Sequence, residues 1–183
     1  KSVKLHVVRF FIRHIWDKTL VKSQRTANQL GMDLPVVPNG VNLEQFNIID
    51  QQKAREMCGF ENGEKYVVWC SNPSRPEKNF SLAEQAVALL NDKNVVLYPV
   101  FNKTHDEVAQ YMCAADALLL TSKNEGSPNV IKEAMACNCP IVSTDVGDVR
   151  AVTKGVEGVG VAKYETPESV SMELKQVLSF EGR

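Results

Sequence analysis

The sequence predicts an α/β protein, a Rossmann-like parallel sheet with helices on both faces. Two observations carry this reading. From residue 60 onward, short apolar runs alternate with amphipathic helical patterns at a steady beat, which is the signature of βαβ units. The apolar runs also lack strict polar–apolar alternation, as expected of strands covered on both sides.

The elements follow in order. "KYVVWCS" (65–71) is a strand and "FSLAEQAVALLND" a helix; "NVVLYPV" (94–100) is a strand and "HDEVAQYMCAAD" a helix. "ALLLTS" (117–122), "PIVST" (140–144) and "GVGVAKY" (158–164) are strands, with "PNVIKEAMAC" a helix after the first and "PESVSMELKQVLS" a closing helix. The first 60 residues are less regular. "VRFFIRHIWDK" is helical with a strongly apolar face, "TLVKS" a short strand, "QRTANQLGM" a helix ended by Gly31, and "LPVVPNGV" a strand running into an Asn-Gly turn. The face carrying Phe10, Phe11, Ile15 and Trp16 has two readings. It packs on the domain's own sheet, or it is the exposed edge of a preceding structure. The expected division is residues 1–35 as that edge and 36–183 as the βα body.

Bulk properties exclude several classes. A chain of 183 residues with 44% hydrophobic and 23% charged residues is an ordinary globular composition. A formal net charge of −1 gives no reason to expect a nucleic-acid or membrane-surface partner. No apolar run approaches a membrane span, and no signal-peptide pattern opens the chain. The five cysteines, with no CxxC pair, read as small buried hydrophobes in a reducing cytoplasm. The three histidines are scattered, and no DxD pair or His/Asp cluster suggests a metal site. Walker-type, GxGxxG and GxSxG motifs are absent.

Two loops at strand ends stand out, because open parallel sheets bind ligands there. "SNPSRPEKNF" supplies Arg75 and Lys78 just before a helix. "TSKNEGSPNV" supplies Glu125, then Gly126, Ser127, Pro128 and Asn129 opening the next helix. Pro128 suits a first helical turn and Ser127 an N-cap. Free N–H groups and the helix dipole there make a seat for an anion, within reach of cations on the neighbouring loop. Glu125 beside that seat would repel a bare phosphate. It fits a ligand that carries hydroxyls as well, and Glu133, on the second turn of that helix, fits a second hydroxyl pair. A phosphate flanked by two polyols is a nucleotide sugar. The alternative is a solvated loop, with Glu133 paired to Lys132 or Arg150 and Arg75 and Lys78 forming a solvated basic turn.

At these residues the chain resembles the C-terminal, donor-binding half of a retaining glycosyltransferase of family 4, with the GT-B fold. "VPNGVNLEQF" resembles the family's hinge segment, "SRPEKNF" its Arg/Lys diphosphate loop, and "EGSPNVIKE" its E-x7-E motif, Glu125 to Glu133. The resemblance implies that Glu125 is the catalytic-site glutamate, contacting the donor sugar, and that Glu133 contacts the ribose. It implies that Arg75, Lys78 and amides from Gly126 to Asn129 hold the diphosphate of a UDP-, GDP- or ADP-sugar, without cofactor or metal. It also implies an N-terminal acceptor-binding domain in the parent chain, without which this part is inactive. Two positions depart from the pattern. Pro73 stands where the loop arginine is usual, so Arg75 would reach in from two residues later, and Ala151 stands where a glutamate is usual. Rival expectations are a nucleotide-sugar 2-epimerase half-domain, which needs catalytic acids and a histidine not found here, and a non-catalytic nucleotide- or protein-binding α/β module.

Overall fold

The computed structural model describes residues 2–182. Its centre is a parallel sheet of β1 (Lys65–Trp69), β2 (Val95–Pro99), β3 (Ala117–Leu120), β4 (Ile141–Thr144) and β5 (Val159–Ala162). All five strands lie within the apolar runs that predict them. The strand order is β2-β1-β3-β4-β5. The chain therefore goes outward from β1 to β2, then crosses back to lay β3, β4 and β5 on the other side. The reversal falls between β1 and β3, and a doubly wound sheet opens its crevice at the carboxyl ends of those two strands.

Successive side chains of each strand go to opposite faces, and both faces are covered. Tyr66 and Val68 of β1 and Leu118 and Leu120 of β3 join a core with α3 (Gln51–Cys58), α5 (His105–Ala114) and α6 (Asn129–Ala136). Val67, Trp69, Ala117 and Leu119 join a second core with α4 (Phe80–Ala88) and α8 (Pro167–Val177). The continuous apolar character of the strands has this cause. Two helices lie outside the sequence expectation: α3 and the short α7 (Val149–Val152). In α3 only Ala54 is buried, so an apolar face is nearly absent. Asp50 caps its start, Gly59 closes its end in the left-handed region, and Arg55 ties it to Asp116 at 2.6 Å.

The first residues form α1 (Ser2–His14) and α2 (Gln24–Leu30). Ser23 caps α2, and Gly31 ends it at φ 60°, as expected. The two short strands expected on either side of α2 reduce to one parallel bridge, Val21 to Val36. No tight turn forms at Asn39-Gly40, because Asn39 is held against α6 instead. Leu5 and Ile12 of α1 pack on Val21, Ala27 and Leu30. Phe10, Ile15 and Trp16 are about half exposed, so that side of α1 is not covered by the domain's own sheet.

Candidate functional site

The site is built on the switch point between β1 and β3. At the end of β1 the Trp69 indole N–H donates to the Thr121 hydroxyl at 2.9 Å. That hydroxyl lies 3.1 and 3.0 Å from the carbonyl oxygens of Lys78 and Asn79. The Lys123 N–H donates to the Glu77 carbonyl at 3.0 Å. The loop after β1 is therefore stapled to the end of β3. A 3-10 turn over Pro76–Lys78 and the left-handed Asn79 (φ 56°) then carry the chain into α4. These contacts hold Lys78 over the mouth of β3, where its amine meets Glu125 Oε1 at 2.6 Å. Both side chains are about four-fifths buried, so this pair is screened far less than a surface one.

After β3 the chain passes Glu125 and Gly126 and enters α6. The N-cap position belongs to Pro128, which offers no side-chain hydrogen bond, rather than to Ser127. Ser127 is drawn away because its hydroxyl accepts from the Lys132 amine at 2.6 Å. The N–H groups of Asn129 and Val130 at the start of α6 remain available for a ligand, while the Ile131 N–H donates to the Pro128 carbonyl at 3.3 Å. A neighbouring loop presses on this turn. A Cβ on Gly147 (φ 57°) would lie 2.5 Å from the Gly126 carbonyl oxygen, so only glycine fits there.

The resulting cleft is about 320 Å³ and is lined by Lys22, Asn39, Lys78, Glu125, Ser127 and Asn129, with Cys70, Leu120, Pro128 and Val130 as its apolar wall. Lys78, Glu125, Ser127, Pro128 and Asn129 thus share one cavity, with Gly126 in the chain between them. Arg75 does not join them; it is exposed and paired to Glu77 at 2.6 Å. Glu133, on the second turn of α6, is half-buried and is not among the residues that line the cleft. Its carboxylate has no hydrogen-bond partner among the described residues. Lys132 and Arg150 are engaged with Ser127 and Asp145 instead. Burial pushes the Glu133 carboxyl above its usual range, with a small opposing effect from His105. Burial also pushes the Cys70 thiol up, and Cys139 and Glu133 add to the effect.

The Glu133 environment has a pH consequence. The folded protein holds this proton to higher pH than the unfolded chain does. Stability from this group is therefore lost as pH rises from about 4, the unfolded value, through the raised folded value. Glu133→Gln is expected to raise the melting temperature at pH 7, and the gain should vanish below about pH 4. Melting curves across pH 3–8 check this, and a variant less stable at pH 7 contradicts it.

Sequence reasoning did not single out Lys22, Asn39 in its contact with α6, or Gly147. Lys22 is set by the Val21–Val36 bridge, a pairing with no local pattern. Gly147 lies in a "DVGD" turn, and nothing local in that turn shows its close approach to Gly126.

By class, this is a doubly wound Rossmann-like domain whose polar, cation-bearing cleft sits at the topological switch point. Residues 64–179 match the family described as Glycosyl transferases group 1. The chain is similar to an uncharacterized glycosyltransferase, MJ1178, of Methanocaldococcus jannaschii, at 31% identity over 94% of this chain and 54% of that protein. Its fold is similar to sucrose-phosphate synthase from Thermosynechococcus elongatus, with a TM-score of 0.81 at 17% identity, over 98% of this chain and 53% of that one. It is also similar to Anabaena Alr3699/HepE in complex with UDP-glucose, with a TM-score of 0.75 at 17% identity, over 96% of this chain and 57% of that one. The chain belongs to the group 1 glycosyl transferases, as a C-terminal domain of the GT-B fold. It spans 38% to 54% of the length of the curated relatives it matches.

Proposed function

We propose that this chain is the donor-binding half of a retaining, metal-independent glycosyltransferase that takes a hexose from a UDP-, GDP- or ADP-sugar. The observation that carries the reading is the single cleft in which Lys78, Glu125 and the start of α6 meet at the switch point. The neighbouring structure with UDP-glucose bound supports a nucleotide sugar as the ligand class. The Lys78 amine and the α6 amides are the groups suited to a diphosphate, whose leaving charge they would stabilise electrostatically. Glu125 is suited to the donor sugar's hydroxyls and Glu133 to the ribose. Among the described residues no group of three His, Cys, Asp or Glu is placed to hold a metal ion.

An acceptor hydroxyl would be positioned by an N-terminal domain of the parent chain, so this half alone binds donor without turnover. A cytoplasmic setting is supported by five cysteines none of which is in a disulfide. Among the described residues no helix is long and apolar enough to cross a membrane.

The test is calorimetric titration with UDP, GDP, ADP and their sugar conjugates, while release of nucleotide from each conjugate is followed. Saturable binding of one nucleotide series without sustained turnover is expected. Glu133→Gln should weaken nucleotide and nucleotide sugar alike, and Glu125→Gln only the sugar-bearing ligand. Equal effects of both substitutions on the plain nucleotide would sink the division of roles. No binding in any series would sink the reading as a whole.

A further inference from the structure

Lys132 is a buried cation that the reading above does not use. It is 9% exposed, and its amine donates to the Asn39 carbonyl at 2.9 Å and to Ser127 Oγ at 2.6 Å. Both acceptors are neutral, and no carboxylate pairs with it among the described residues. A buried ammonium without a counter-charge is costly, and an anion approaching nearby relieves that cost.

The route from this charge to the cleft is one hydroxyl long. A serine hydroxyl has two lone pairs and one hydrogen to donate. Lys132 fills a lone pair of Ser127, which leaves the hydrogen to point elsewhere. Among the described residues no acceptor receives it, and Ser127, 7% exposed, lines the cleft. A hydroxyl that accepts from a cation is polarised and becomes a stronger donor. Positive charge behind it favours an anionic oxygen over a neutral one. The far side of the cleft, at Glu125, offers the acceptor that neutral sugar hydroxyls need.

We propose that Lys132 and Ser127 form a relay in which the Ser127 hydroxyl donates to a phosphate oxygen of the bound ligand. Lys132 is the positioning residue that orients and polarises that hydroxyl. The proposal rests on the donor-binding reading and adds a side-chain contact to the backbone amides and Lys78. Through the Asn39 carbonyl the same amine also fixes the connector segment against α6, so a purely structural role is the competing explanation.

A double-mutant cycle separates the two. Wild type, Ser127→Ala, Lys132→Met and the double variant are titrated with inorganic pyrophosphate and with UDP, GDP and ADP, and each is melted. Each single substitution is expected to weaken pyrophosphate binding about tenfold, the scale of one charge-assisted contact. In the Ser127→Ala background Lys132→Met should then add nothing, because the relay is already cut. Unchanged affinity in Ser127→Ala overturns the relay, and this small substitution is the safeguard if Lys132→Met melts too low to titrate. An equal loss from Lys132→Met in both backgrounds overturns it too, and assigns Lys132 to the structural role. Pyrophosphate bound in the expected pattern, with no nucleotide bound more tightly, would keep the relay and reject the nucleotide reading. Nucleotide bound equally by all four proteins would do the reverse. A wild-type protein that binds neither overturns both.

Discussion

Gly147→Ala is expected to lower stability by about 2–4 kcal/mol and to remove ligand binding with it. A residue other than glycine held in the left-handed region costs about 1–2 kcal/mol by itself. The new methyl would also sit 2.5 Å from the Gly126 carbonyl oxygen and 3.2 Å from the Pro128 ring, so the backbone on one side must move. The loop that moves is the one that carries Glu125 and opens α6. For a domain of this size the loss corresponds to a melting temperature lower by about 5–15 °C. Thermal denaturation and titration of the folded variant, well below its melting point, check both halves. A variant with wild-type stability and affinity would show that the two loops do not need this close approach.

Lys78→Ala is expected to weaken nucleotide diphosphate binding by about 1–3 kcal/mol, the range for a lost charge-assisted contact. The structure gives a reason for the upper part of that range. Without ligand, Lys78 neutralises Glu125 at 2.6 Å inside a partly buried cleft. An ammonium has three hydrogens to donate, so Lys78 can keep Glu125 and still take a phosphate oxygen. Its removal leaves the Glu125 carboxylate facing the anion unscreened. The double variant Lys78→Ala/Glu125→Gln should therefore bind a plain diphosphate better than Lys78→Ala alone. Calorimetry on wild type, Lys78→Ala, Glu125→Gln and the double variant decides it. An unchanged affinity in Lys78→Ala removes this residue from the site, and a double variant no better than the single removes the repulsion argument.

Part of the site was legible in the sequence because its chemistry is carried by local patterns. Glu125, the turn through Pro128 and Lys78 lie at strand ends, and strand ends follow from where apolar runs stop. Arg75 shows the limit of that reasoning. A cation two residues from Glu77 satisfies itself locally and stays in solvent, and position in a promising loop does not outweigh so near a partner. Ser127 shows another limit. It has the right type and place for an N-cap, but a stronger donor, the Lys132 amine, claims its oxygen.

The sequence by itself determined the five strands, the helices with an apolar stripe and the βα order, because burial on two faces demands hydrophobic residues at fixed periods. It did not determine α3, which buries only Ala54 and is tied by Arg55 to Asp116, 61 residues away. Nor did it determine which residues meet in the cleft. The Lys78–Glu125 pair spans 47 residues and the Lys132–Asn39 contact spans 93. Gly147 is required by a carbonyl from another loop, and Lys22 reaches the cleft through one isolated bridge. Periodicity records how much surface an element buries. Only the tertiary structure decides which distant polar groups are brought within bonding distance, because hydrogen bonds and ion pairs depend on ångström-scale geometry that no local repeat encodes.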